Sequence, residues 1–370
     1  WGLYKGGRGE DPGPLYQAAI DDFGEALKVN PKNDETWQKH GVARGNWGVY
    51  KGGRGEDPGP LYQAAIDDFG EALKVNPKSD ETWRTRGYVR IAWGLYKGGR
   101  GEDPGPPYQA AIDDFGEALK LNLKNDVTWV WRGSLRMTWG VYKGGRREDP
   151  SPLYQAAIDD CGEALKLNLK NDVTWLWRGG ARVNWGAYKM GRGEDPGPLY
   201  QAAIDDFGEA LKLNPKNDVT WQWNGSANFN WGLYQKSRGH DPRNLFPPAS
   251  ADYLRSLELA SLGPAPPVHR ANMLFESSNE LLRLKSFKEA IAGFSALARL
   301  FPLHNLGRVS AYNIACGYAL LGEKNSALDW LEKAVEMGWT DVAHIEEDAD
   351  LESLRREDRF QKLIEKLKGK

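Results

Sequence analysis

The chain has 370 residues, a length that by itself would suit two or three globular domains. Its 49 Lys+Arg stand against 51 Asp+Glu, a formal net charge of -2, so the basic footprint expected of a nucleic-acid binder is absent. The longest apolar runs are too short to cross a bilayer, no secretory leader is visible, and two cysteines, Cys161 and Cys316, exclude a disulfide framework and suit a reducing, cytoplasmic setting.

Trp-Gly opens segments at Trp1, Trp47, Trp93, Trp139, Trp185 and Trp231, a constant step of 46 residues. The unit reads WGxYKGGRGEDPGPLYQAAIDDFGEALKxNPKNDxTW, nearly identical in five copies. A sixth, from Trp231, decays into RGHDPRNLFPPASADYLRSLELA. In the second copy Leu61, Ala65, Phe69, Ala72 and Leu73 recur at helical spacing on one face. Pro60 suits the first helical position, and Asn76-Pro77 should end that helix. The next helix is expected to open with Asp80 as its N-cap, run through Trp83 to about Tyr96 and Lys97, and stop at Gly98-Gly99. The unit is therefore a helix pair joined by a turn.

Four segments follow: residues 1–262, the array of enlarged repeats with a partial first and a degenerate last unit; 263–267, a stiff Pro-rich linker; 268–338, two shorter units; and 339–370, capping helices. The shorter units contain Leu274, Ala290, Phe294 and Pro302, and then the stretch from Ala311 to Trp339.

This pattern resembles the tetratricopeptide repeat, W-x2-L-G-x2-Y…A-x3-F…P. Trp37, Gly41, Ala65, Phe69, Ala72 and Pro77 carry the match, repeated at Trp83, Gly87, Ala111 and Phe115, and at Trp175, Gly179, Ala203, Phe207 and Pro215. The resemblance implies an all-α, right-handed superhelical solenoid of antiparallel helix pairs. The family unit has about 34 residues, so this one carries about 12 more, placed in a longer first helix and the turn GGRGEDPG. The family's Leu and Tyr positions hold arginines here: Arg86 and Arg90, Arg132 and Arg136, Arg178 and Arg182. The C-terminal end is similar to the terminal repeats of large bacterial regulatory proteins, in which such repeats follow a serine/threonine kinase or another effector domain.

The resemblance also implies that first helices line a concave surface. The second helix and turn barely vary between copies, whereas the stretch after each Trp does. The expected groove residues are Gln38, Val42 and Asn46; Arg84, Tyr88 and Ile91; Val130, Ser134 and Met137; Leu176, Val183 and Asn184; Gln222, Ser226 and Phe229. Diversification of a groove and drift at solvated positions both produce such variation; the apolar and aromatic choices favour a groove. The carboxylate clamp of the family needs Lys and Asn where this chain has Gln38, Val42, Arg84 and Tyr88, so an extended or helical segment with apolar anchors is the expected ligand.

The arginine pairs lie four apart on one helix face. They suit an anion-binding ladder or, preferably, pairing with acids of their own unit such as Asp67 and Asp68 or Glu56 and Asp57. KGGRGEDPGP lacks the Lys-Ser/Thr ending of a phosphate loop and reads as a turn, whose copies should form a row on one edge. None of His40, His240, His269, His304 and His344 has ligand spacing, although His344 lies near Glu346, Glu347 and Asp348. Cys161, in place of Phe, and Cys316 read as small core residues. Asn224-Gly225-Ser226 fits a glycosylation sequon but falls in an expected helix.

The expectation is a non-enzymatic scaffold for a protein or peptide, with no catalytic residues, cofactor, metal, nucleic acid or membrane. Two rivals are a docking arm of a larger enzyme, suggested by the mid-unit start at Trp1, and a solenoid that associates end to end.

Overall fold

The computed structural model describes residues 11–260 and 267–369, and among these no strand occurs. Trp1 and most of the Pro-rich segment, residues 263–266, lie outside the described residues. The chain forms two compact units, Trp1–Ala181 and Arg182–Lys370, divided within one helix.

The first unit contains α1 (Gly13–Val29), α2 (Asp34–Gly53), α3 (Gly59–Val75), α4 (Asp80–Gly99), α5 (Gly105–Leu121), α6 (Asp126–Gly145), α7 (Ser151–Leu167) and the first half of α8 (Asp172–Gly191). Helices of 20 residues (A) alternate with helices of 17 (B). Each A helix packs on the B helix after it, as α2 on α3, α4 on α5 and α6 on α7.

Local chemistry sets the ends. Each B helix begins after Asp-Pro: the Asp57 carboxylate accepts from Gly59 N at 2.9 Å, and Asp103 does the same for Gly105 at 2.9 Å. That cap starts the helix one residue before Pro60, which therefore occupies the second helical position. Each A helix is capped one residue earlier than expected. Asn33, Ser79 and Asn125 accept from the backbone N–H of Thr36, Thr82 and Thr128 at 3.0, 3.2 and 3.0 Å. Asp80 is instead the first helical residue, where its charge meets the positive end of the helix dipole. The repeat-defining Trp locks the turn that precedes it: Trp83 Nε1 donates to the Pro77 carbonyl at 3.1 Å and Trp129 Nε1 to the Leu123 carbonyl at 3.0 Å. At the other end Gly98 and Gly99 lie inside the helix, and the left-handed residue that turns the chain is Gly101 (φ 77°). The fourth copy places Arg147 there (φ 65°).

The core of each pair is the conserved half of the unit. Tyr62, Ala65, Phe69 and Ala72 are buried, as are Tyr108, Ala111, Phe115 and Ala118. The Gly of Trp-Gly is needed for close approach: a Cβ on Gly94 would lie 2.3 Å from the Tyr108 ring.

The second unit holds the rest of α8, then α9 (Gly197–Leu213), α10 (Asp218–Ser237), α11 (Phe246–Ala260), α12 (Val268–Arg283), α13 (Phe287–Leu300), α14 (Asn305–Leu320) and α15 (Lys324–Glu336). It ends with α16 (Val342–Glu347), a 3₁₀ turn (Ala349–Leu354) and α17 (Asp358–Lys368). The decayed sixth copy still supplies a B helix. Phe246 and Tyr253 of α11 fill the places under Gly232 and Gly225, as Tyr and Phe do elsewhere. One core joins α11 to α14 through Phe246, Leu257, Leu274, Phe294 and Ile314. Another closes the C-terminal end, with Ile345, Leu351, Leu354, Phe360 and Ile364 packed on α14 and α15.

Candidate functional site: clamped carboxylates and the A-helix face

The arginines at core positions are accounted for by one carboxylate per helix pair. Asp68, Asp114 and Asp160, on the B helices, are 3%, 1% and 2% exposed. Arg86 and Arg90 of α4 both reach Asp114 at 2.6 Å, and Arg132 and Arg136 of α6 reach Asp160 at 2.7 and 2.5 Å. In α2 Arg44 reaches Asp68 at 2.7 Å, with the His40 ring beside it. In the second unit Arg182 bonds to Asp206. The acid lies 24 or 28 residues after each Arg, on the following B helix, and so differs from the acids expected within the same copy. Glu56 is taken by Lys51 (3.4 Å) and Arg54 (3.5 Å) of its own loop, while Asp57 caps α3. The guanidinium donors thus face a buried carboxylate, which removes the basis for an anion-binding ladder. Burial raises the Asp114 carboxyl above its ordinary value against the hydrogen bond from Arg86 and the charge of Arg90, and burial lowers Arg90 and Arg136.

The pair α10 and α11 breaks the pattern. Asn224 and Asn228 stand where the arginines would be, and Asp252 is 6% exposed with Asn224 Nδ2 donating to it at 2.9 Å. Burial pushes its carboxyl up to about 7.

Gln38, Val42 and Asn46 line one cavity of about 840 Å³ in the first unit, together with Leu15, Tyr16 and Phe23 of α1 and Glu81 of α4. Arg84, Tyr88, Ile91 and Leu176 are half-buried, with Tyr88 packed against the rings of Phe115 (5.5 Å) and Trp131 (5.1 Å). Val130, Ser134 and Met137 are buried at 9%, 8% and 7%, and Val183 at 3%, so these four side chains pack within the helix array. In the second unit Asn184, Gln222, Ser226 and Phe229 are half-buried. Ser226 receives the Tyr253 hydroxyl at 3.3 Å, and Phe229 packs edge-on against Phe246 at 5.5 Å.

The cavity also takes in two positions that sequence reasoning missed: Glu35 and Glu81, and Lys39 and Thr85. Their counterparts in the third and fourth copies are Val127 and Val173, and Trp131 and Trp177. The readable signal was the second Trp of Trp-Val-Trp and Trp-Leu-Trp, in register with Trp-Gln-Lys and Trp-Arg-Thr.

On the loop edge of the first unit, pockets of about 420, 450 and 360 Å³ recur between successive loops. Each joins an Asp of one loop to a Trp, Tyr, Lys, Arg and Glu of the next, as with Asp57 and Trp93, Tyr96, Lys97, Arg100 and Glu102. Lys97 lies over Trp93 at 5.7 Å and Arg100 over Tyr96 at 5.6 Å, and Glu102 holds both cations. Cys161 and Cys316 are buried thiols, and Asn224 lies within α10. Among the described residues no cluster of three or more His, Cys, Asp or Glu is placed to hold a metal, and no helix is long and apolar enough to cross a membrane.

No family model matches the chain. The C-terminal part of a TPR repeat-containing protein from Cytophaga hutchinsonii superposes with a TM-score of 0.52 at 15% identity, over 80% of this chain and 94% of that one. YrrB, described as a TPR protein with an unusual peptide-binding site, gives a TM-score of 0.39 at 13% identity over 64% of this chain and 91% of that one. A stretch of 78 residues is 33% identical to a chloroplastic protein of Arabidopsis thaliana, covering 21% of this chain and 23% of that protein. The chain therefore spans less than a quarter of that relative's length. Paired antiparallel helices, the Trp and Gly of each A helix, the Ala and Phe of each B helix and the first of these likenesses give one conclusion: the chain has the tetratricopeptide-repeat fold, built from an enlarged 46-residue unit.

Proposed function

We propose that this chain is a non-enzymatic protein–protein interaction scaffold that holds a peptide or protein segment against the A-helix face of its first unit. The observation that carries this reading is the set of half-buried A-helix side chains that differ from copy to copy, among them Gln38, Val42, Asn46, Arg84, Tyr88 and Ile91. They sit on a frame that is otherwise copied almost unchanged. The fold supplies the geometry, since stacked helix pairs present neighbouring A helices side by side. The arginines add rigidity to that frame by tying each A helix to the B helix after it.

The test is capture of partners by the wild-type chain and by a Val42→Glu, Asn46→Glu variant. Both positions are half-buried at the cavity wall and outside the Arg–Asp clamps. Loss of the captured proteins with unchanged helical circular dichroism is expected. An unchanged capture profile would refute the reading.

A further inference from the structure

Each of α3, α5 and α7 is covered by the A helix before it, and the fit has three parts. A Gly of the A helix lies on the B helix: a Cβ on Gly41 would meet the Phe69 ring at 3.0 Å and the Ala65 carbonyl at 3.1 Å, and one on Gly87 would meet Phe115 at 3.0 Å. The next A helix forms a second wall, since a Cβ on Gly45 of α2 would lie 2.8 Å from Val89 of α4. The residues around that Gly, Arg86 and Arg90 or Arg132 and Arg136, close on the buried Asp. The covering helices therefore share one signature, His or Arg, then Gly, two variable residues and Arg, starting at His40, Arg86 and Arg132.

One repeat earlier the same seat is built and open. Ala19, Asp22, Phe23 and Ala26 of α1 are the counterparts of Ala65, Asp68, Phe69 and Ala72 of α3, which are 0%, 3%, 0% and 1% exposed. On α1 the first and third are half-buried, and Asp22 and Ala26 are exposed. Asp22 joins no hydrogen bond or ion pair among the described residues. Ala19, Asp22 and Phe23 line the cavity of about 840 Å³, and Ala43 of α2, the counterpart of Val89, stands in its second wall.

We infer that this seat on α1 and α2 docks a helix of a partner protein that carries the signature Arg-Gly-x-x-Arg. This goes beyond the scaffold reading and sets the partner on the B helix α1. Three arguments fix the occupant. Covering Asp22 takes a carboxylate out of water, which is costly unless cations meet it, so the docked face must bring arginine. Residues i and i+4 lie about 6 Å apart along a helix and about 13 Å apart along a strand, so two guanidinium groups converge on one carboxylate from a helix and not from an extended segment. The Gly between them lets the helix backbone approach Phe23, as Gly41 approaches Phe69. A second copy of this chain fits poorly. Its own α1 would bring Asp22 against Asp22, and its signature helices α2, α4 and α6 are already seated on α3, α5 and α7.

The probe is a fluorescein-labelled peptide with the sequence of α4, Asp80–Gly99, titrated with the 370-residue chain and read by anisotropy. Saturable binding is expected. It should weaken tenfold or more with Asp22→Asn in the chain, with Arg86→Gln plus Arg90→Gln in the peptide, and with Gly87→Leu in the peptide. Asp21→Asn, at an exposed acid that holds Gln17 on the same helix, should leave it unchanged. Both chain variants change exposed side chains, and unchanged helical circular dichroism verifies that they fold. Absence of saturable binding, or equal affinity in the Asp22→Asn and Asp21→Asn chains, would overturn the inference. So would concentration-dependent self-association of the wild type that disappears with Asp22→Asn, because a second copy would then be the occupant. The two readings fail separately. Partner capture that is lost with Val42→Glu, Asn46→Glu while the peptide ignores Asp22→Asn defeats this inference alone. Peptide binding that needs Asp22, with partner capture indifferent to Val42→Glu, Asn46→Glu, defeats the scaffold reading alone.

Discussion

Arg86 Nη2 on α4 lies 2.6 Å from Asp114 Oδ1 on α5, and this carboxylate, 1% exposed, is held from the other side by Arg90 at 2.6 Å. Taking one carboxylate out of water is costly, and only charge-assisted hydrogen bonds of good geometry offset it. The same constellation recurs at Asp160 with Arg132 and Arg136, which makes it a property of the unit.

Asp114→Ala leaves two guanidinium groups facing each other without a counter-charge. It should destabilise the first unit by about 3–5 kcal/mol. The triple replacement Arg86→Met, Arg90→Leu, Asp114→Leu should recover most of that loss, because an apolar trio removes the desolvation cost. Urea unfolding followed by far-ultraviolet circular dichroism measures both.

At Asp252 no arginine opposes the effect of burial, because Asn224 and Asn228 supply no charge. Its carboxyl is raised by burial from 3.8 to about 7, so between these values the folded state keeps a proton that the unfolded chain has released. The site's contribution is full below about pH 4 and is lost as pH rises to about 7, at up to about 1.4 kcal/mol per pH unit. Asp252→Asn should flatten that slope. Asn224→Arg should restore the clamp seen in earlier copies and pull the carboxyl down. Thermal melts from pH 4 to pH 8 follow both changes.

Arg147 sits at φ 65°, where the second, third and fifth copies have Gly55, Gly101 and Gly193 at 77°, 77° and 76°. A side chain in the left-handed region costs roughly 1–2 kcal/mol. Arg147→Gly should therefore stabilise the first unit by about 1 kcal/mol, offset in part by greater freedom of the unfolded chain. A lower melting temperature would show that the Arg147 side chain makes a compensating interaction.

The helix pairs were legible because the unit is copied: a 46-residue step with Phe69, Phe115 and Phe207 in register marks the B-helix core without ambiguity. The caps were misplaced by one residue because Asn33, Ser79 and Asp80 are all good capping residues, and only geometry separates cap from first turn. Arg86 was assigned to acids of its own copy, Glu56, Asp57, Asp67 or Asp68, whereas it meets Asp114, because the partner depends on which B helix packs against α4, a tertiary fact. For the same reason Met137 and Val183 were placed on a surface. Variation between copies marks tolerance, and a packed seam between neighbouring helices tolerates apolar exchange as readily as a groove does.

Whether the cavity face of α2 meets a partner is tested most directly by photo-crosslinking. A crosslinking residue at Val42, on the cavity wall, is compared with one at Val75, 41% exposed at the end of α3. A discrete crosslinked protein is predicted from position 42 and none from position 75. Equal capture at both positions, or capture from position 75 alone, would contradict the scaffold reading.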